Sequence, residues 1–98
     1  MIVKIHKTPE QRIILAVCDI DLLGKKFEEG NRQIDLSSEF YNGEKMPENK
    51  ICDLMRNSYI LNLVGKKSVG LALKECIITK DNIKKIKDIP YSCITLDN

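Results

Sequence analysis

The sequence predicts an α+β domain: a mostly antiparallel sheet with about two helices packed on one face. Three observations carry this. Ile2 to Lys7 alternates apolar and polar residues, the period-two pattern of a half-buried strand. A more continuously apolar run, Arg12 to Cys18, follows across Thr8-Pro9-Glu10-Gln11, whose proline is pre-set for a turn, so the two runs read as a hairpin. Ile51, Leu54 and Met55, and later Val69, Ala72, Leu73 and Cys76, recur at the spacing of buried helix faces.

The elements between these anchors follow from punctuation. Cys18-Asp19-Ile20-Asp21-Leu22-Leu23-Gly24 reads as one helical turn, with Asp19 able to cap its start and Gly24 able to end it at positive φ. Lys25 to Gly30 leads into a strand at Arg32 to Leu36, and Glu28-Glu29 reads as a solvated turn. Ser37 to Gly43 is a loop closed by Asn42-Gly43. Pro47-Glu48-Asn49 opens the first helix, since proline is tolerated in a first turn. Tyr59 to Val64 fits both a buried strand and a continuation of that helix, because periodicity does not separate the two at this length. Ile83 to Ile86 and Tyr91 to Leu96 are short strands, with Pro90 at the entry to the last.

Ninety-eight residues specify a single domain, 1–98, large enough to bury roughly 65% of the surface its unfolded chain exposes. With five aromatic residues and no Trp, the core rests on Ile, Leu and Val. The longest apolar run near the start, Ile13 to Cys18, is far short of the ~20 residues of a membrane helix, and the N-terminus opens as a strand rather than a signal segment. A cytoplasmic protein is expected. Sixteen basic against fourteen acidic residues is too balanced for a general nucleic-acid binder. Lys80, Lys84, Lys85 and Lys87 crowd one segment, where lysines at a sheet edge also block aggregation.

The polar residues of most interest lie between an apolar run and a helix, in Asn62-Leu63-Val64-Gly65-Lys66-Lys67-Ser68. A helix start with free N–H groups and nearby cations suits a phosphate or carboxylate. The segment is not a nucleotide-hydrolysing loop: Ile60 stands where the first glycine is needed, and Lys67 where Ser or Thr would hold magnesium. Capping by Asn62 and close packing at Gly65 explain the same residues without a ligand. Asp19 and Asp21 fit a capped first turn better than a divalent-cation site. Cys18, Cys52, Cys76 and Cys93 stand singly, with no Cys-x-x-Cys pair, and three of them lie in apolar settings as small buried hydrophobes. His6 is the one histidine. No catalytic residue, metal or cofactor emerges.

Val3-Lys4-Ile5-His6-Lys7, Cys18-Asp19-Ile20-Asp21-Leu22-Leu23-Gly24-Lys25, Phe40-Tyr41-Asn42-Gly43-Glu44 and Asn62-Leu63-Val64-Gly65 occur in an order that resembles a family of small archaeal proteins, domain of unknown function 424. The most specific pieces are Cys-Asp-x-x-Leu-Leu-Gly and Asn-Leu-Val-Gly. The resemblance implies an archaeal cytosolic domain whose genes lie among those of translation and ribosome biogenesis. Relatives often carry Val-Pro-His-Ala-Gln where this chain has Ile89-Pro90-Tyr91-Ser92-Cys93. A tyrosine near pKa ~10 does not replace a histidine in acid–base work at neutral pH, so the departure favours binding over catalysis.

The expected function is a non-catalytic binding module whose partner is RNA or a translation-related protein. Its contact residues are Asn62, Gly65, Lys66 and Lys67, with Lys25 and Tyr91 in support, lysines positioning phosphate and Tyr91 offering a ring for stacking. The alternatives are an enzyme for a small phosphorylated or carboxylated ligand held at the Gly65 helix start, and a protein adaptor without nucleic-acid contact. The enzyme requires Asn62 to converge with Asp19 or Asp21 in one pocket.

Overall fold

A computed structural model describes residues 1–96. Among them the strands are β1 (Ile2–Lys7), β2 (Ile13–Cys18), β3 (Lys26–Glu29), β4 (Arg32–Asp35), β5 (Glu44–Lys45), β6 (Ile60–Val64), β7 (Lys84–Ile86) and β8 (Ile89–Thr95), and the α-helices are α1 (Glu48–Arg56) and α2 (Lys66–Lys74). Six strands form one sheet in the order β5-β1-β2-β6-β8-β7, while β3 and β4 form a separate hairpin. Every neighbouring pair is antiparallel except β2 with β6. This is the α+β architecture expected.

The first hairpin closes where its turn chemistry lies. Thr8 N–H donates to Arg12 O and Gln11 N–H to Thr8 O, with Gln11 at a φ of 69°. Tyr59 to Val64 resolves as strand. Ser58 ends the helix segment by donating from its Oγ to Met55 O, and Tyr59 N–H then donates to Ile13 O, which starts the pairing with β2. The outer face of β6 is only partly covered, with Ile60 and Asn62 half-buried beside the buried Leu61 and Leu63, and a single polar residue in the run leaves too little alternation to tell strand from helix.

Both helices cover one face of the sheet. Val3, Leu15, Val17, Leu61 and Leu63 meet Ile51 and Met55 of α1 and Val69 and Ala72 of α2 in the main core. Arg56 on α1 donates to Glu75, just past α2, at 2.7 Å and ties the two helix ends together. The opposite face is not bare. Ile2, Cys18, Leu36 and Val64 form a second cluster there, packed with Phe27 and Ile34 of the β3–β4 hairpin. Glu28-Glu29 therefore lies in a strand and not in a turn, paired with Gln33 and Arg32. The acidic side chains point outward, while the neighbouring Phe27 supplies the buried contact that fixes the hairpin.

Two further details correct the local reading. Pro47 lies one residue before the first helical residue, in extended conformation, and its carbonyl accepts from Ile51 N–H. Cys93 is exposed rather than buried, because no element covers its part of the outer face among the described residues. Lys84 and Lys85 lie on β7, an edge strand, where lysines discourage pairing with another chain.

Gly70 lies inside α2, is exposed, and has no heavy atom within 4 Å of where a Cβ would stand. Its backbone freedom has no structural use there. Gly70→Ala is expected to stabilise the fold by about 1 kcal/mol, raising Tm by roughly 4–8 °C in a thermal melt.

Candidate functional site

The parallel register of β2 with β6 sets Cys18 beside Val64, so the two chains leave the sheet side by side. Asp19 N–H donates to Val64 O at 3.0 Å, and Gly65 N–H to Pro90 O at 2.8 Å. At this junction Gly65 adopts φ 111° and begins α2. A Cβ on Gly65 would stand 2.3 Å from Asp19 Cγ, so glycine is required both by conformation and by space.

The Asp19 side chain is only 6% exposed and is aimed at the first turn of α2. Its Oδ2 accepts from Lys67 N–H at 3.0 Å, and its Oδ1 accepts from Ser68 N–H and Ser68 Oγ, each at 2.8 Å. Asp19 does not cap its own helical turn at Ile20–Leu22 through its side chain. Nor is Asn62 the cap of α2, because it lies inside β6. The cap of α2 comes from a residue 48 and 49 positions away, placing a carboxylate on the positive end of the helix. The N–H groups of Lys67 and Ser68, which a ligand anion would have used, are already committed.

What remains open to solvent is a ridge of cations. Lys66 and Lys67 are exposed and border two hollows of about 270 Å³ each. One is shared with Asp21, Leu22, Ile89 and Pro90, the other with Met1, Glu48, Gly70 and Lys74. Among the described residues, Lys66, Lys67 and Lys74 have no carboxylate within 4 Å.

The other expected contact residues lie elsewhere. Leu61 and Leu63 point into the helix-side core, so Asn62 faces the opposite side of the sheet, in register with Ala16 and Cys93. Tyr91 shares that outer face, opposite Val64, and packs its ring on the second cluster, with Arg32 Nη1 donating to its hydroxyl at 3.4 Å. Lys25 is exposed between the first helical turn and β3, outside both hollows. Gly65, Lys66 and Lys67 are thus together, and Asn62, Tyr91 and Lys25 are not with them. The convergence of Asn62 with Asp19 or Asp21 that the enzyme alternative requires is absent. His6 is tied down by its Nε2, 3.0 Å from Phe40 O as the N–H tautomer donates, and by stacking on the Phe40 ring. Among the described residues, no three His, Cys, Asp or Glu side chains gather as a metal-ligand set.

Sequence reasoning missed the Asp19–Ser68 pairing. Its signal was the placement of Asp19 and Gly65 at the ends of two apolar runs, which becomes informative only when those runs are paired in parallel. The two motifs that carry the family resemblance, Cys-Asp-x-x-Leu-Leu-Gly and Asn-Leu-Val-Gly, are the two segments that meet here.

A family model described as "Protein of unknown function (DUF424)" matches residues 6–96. The chain belongs to that family. The DUF424 fold described above is similar to a crystal structure of an uncharacterized conserved protein from Methanopyrus kandleri, with a TM-score of 0.79 and 22% identity over 95% of this chain and 88% of the other. No curated protein matches the chain.

Asp19→Ala is expected to cost at least about 2 kcal/mol, since it removes a cap and leaves buried donors unpaired. Urea denaturation of Asp19→Ala, Ser68→Ala and the double variant should give a coupling energy of roughly 0.5–3 kcal/mol.

Two groups on the outer face contribute to a loss of stability at alkaline pH. Burial, with a smaller contribution from Asp19, pushes the Cys18 thiol from 9.0 to about 11, and burial pushes the Tyr41 hydroxyl from 10.0 to about 12. Both folded values lie above the unfolded ones, so the unfolded chain releases these protons first. The contribution of these two groups is fully present below about pH 9 and is lost as pH rises toward 12. Urea midpoints measured across that range should decline less steeply in Cys18→Ala and Tyr41→Phe than in the parent.

Proposed function

We propose that the protein is a cytoplasmic, non-catalytic binding module that engages RNA, in the setting of translation or RNA metabolism, through Lys66, Lys67 and Lys74. The observation that supports this reading is the exposed ridge of lysines beside α2, free of carboxylate partners among the described residues. Asp19 fixes the backbone beneath the ridge, so the positions from which the lysines extend are held by the fold. Ammonium groups contact phosphates without reading bases, so the recognition is of backbone and charge more than of sequence. Asn62 and Tyr91, on the far face of the sheet, are outside this contact. No small phosphate or carboxylate is assigned to the helix start, because Asp19 already occupies it.

Binding of a fluorescent single-stranded RNA should weaken steeply between 50 and 200 mM salt, as release of counterions from phosphate contacts requires. In Lys66→Ala/Lys67→Ala the slope of log affinity against log salt should fall by roughly 1.4, about 0.7 for each lost contact. Affinity that ignores salt, or a double variant with unchanged slope, would remove the lysine ridge from the account.

A further inference from the structure

The hollow that Lys66 and Lys67 share with Asp21 has walls that a patch for phosphate alone does not need. Leu22, Ile89 and Pro90 give it an apolar floor, and the fold fixes each of them. Leu22 and Ile89 pack on the second cluster, and Pro90 is held where its carbonyl accepts from Gly65 N–H at 2.8 Å. All three are half-buried, so part of their apolar surface is left to the hollow. Its volume of about 270 Å³ is near the lower end of the roughly 300–1,000 Å³ of ligand pockets.

Asp21 adds the polar part. Its backbone is clamped in the helical turn Ile20–Leu22, where Leu22 N–H donates to Asp19 O at 3.0 Å and Asp19 N–H donates to Val64 O at 3.0 Å. The side chain is exposed, and among the described residues it accepts no hydrogen bond and has no cation within 4 Å. Asp19, the other acid on the hollow, is spent on Lys67 and Ser68. An exposed acid is ordinary by itself. Here it shares one apolar-floored hollow with two lysines and pairs with neither.

A nucleotide has the matching layout, with N–H donors on its base edge, apolar ring faces and a phosphate at its other end. The carboxylate also selects among bases, because it only accepts hydrogen bonds. Guanine presents N1–H and N2–H side by side, the parallel fork that a carboxylate receives from arginine. Adenine and cytosine set a ring-nitrogen lone pair beside their amino donor, and uracil flanks its single N–H with two carbonyls. Those lone pairs repel a carboxylate.

We propose that this hollow takes a guanine base of the bound RNA, with Asp21 accepting from N1–H and N2–H. Leu22, Ile89 and Pro90 lie against the ring, and Lys66 and Lys67 hold the adjoining phosphate. The proposal rests on the RNA reading above and adds to it a base that the lysines alone do not read. It uses side chains and not the N–H groups at the start of α2, which Asp19 already occupies.

The test uses the full chain and labelled uridine oligomers of equal length with one central guanosine, adenosine or inosine. In fluorescence anisotropy at about 50 mM salt, the guanosine oligomer should bind at least about ten-fold tighter than the adenosine one. Inosine, which keeps N1–H and lacks the 2-amino group, should fall between them. Asp21→Ala should bring the guanosine oligomer down to the level of the adenosine one. An Asp21 that merely repels phosphate would act in the opposite sense, its removal tightening all three oligomers alike, and that result would overturn the proposal. Three equal affinities that still depend on salt and on Lys66 and Lys67 would remove the guanine site and leave the RNA reading standing. Failure of every oligomer to bind would remove both. Unlabelled 5′-GMP should displace the guanosine oligomer far less effectively than unlabelled oligomer does, and equal displacement would overturn RNA as the source of the base.

Discussion

The Asp19 carboxylate lies where β2, β6 and α2 meet, and its hydrogen bonds to Lys67 and Ser68 join the sheet to the helix that covers it. The parallel pairing of β2 with β6 is the one parallel contact in the sheet among the described residues, and it delivers Asp19 to Gly65. Gly65 must lack a side chain for the carboxylate to reach the helix, and Ser68 must carry a hydroxyl to complete its coordination. Removing the carboxylate leaves the buried Ser68 N–H and hydroxyl unpaired, which costs more than the net gain of one hydrogen bond. The orientation of α2, and with it much of the main core, depends on this junction.

The same interaction shapes the surface. An internal carboxylate accepts from Lys67 and Ser68, so those two N–H groups at the helix start are already taken. The charges left for a partner are those on side chains. Lys66 and Lys67 immediately precede the buried Ser68 in sequence but extend into solvent, so one short segment serves both the core and the exterior. The opposite margin of the sheet has a different character, with a short β5 pairing only Ile2 and Val3 on the outer edge of β1. The basic ridge at α2 and the strand edge at β1 are separate surfaces.

The legible parts of the chain were those governed by local pattern. The β1–β2 hairpin was readable because alternation and turn chemistry agree there, and both helices were readable from their buried stripes, although Cys76, read as part of the second stripe, is exposed past the end of α2 at φ 58°. The β3–β4 hairpin was half-hidden, because three of the four residues in β3 are charged and only Phe27 marks its buried side. The run in β6 was ambiguous because Asn62 is its one polar residue, too little alternation to tell a strand from a helix. In the candidate site, the contiguous Gly65-Lys66-Lys67 was found together, while Asn62 was misplaced. A strand turns its next residue to the other face, so closeness in sequence put Asn62 two residues from Val64 but across the sheet from α2.

By itself the sequence determined the α+β class, the two helices and their buried stripes, the first hairpin and the exclusion of a nucleotide-hydrolysing loop. Each of these rests on periodicity or on residues a few positions apart, which act through local geometry and need no knowledge of the fold. Only the tertiary structure decided that Asp19 caps α2 instead of its own turn, that Asn62 and Tyr91 lie away from the lysines, and that β5 pairs only with Ile2 and Val3 of β1. Those outcomes depend on which strands pair and in which direction. Strand pairing brings together residues nearly fifty positions apart, and no local pattern in the chain specifies which carboxylate will meet which N–H group.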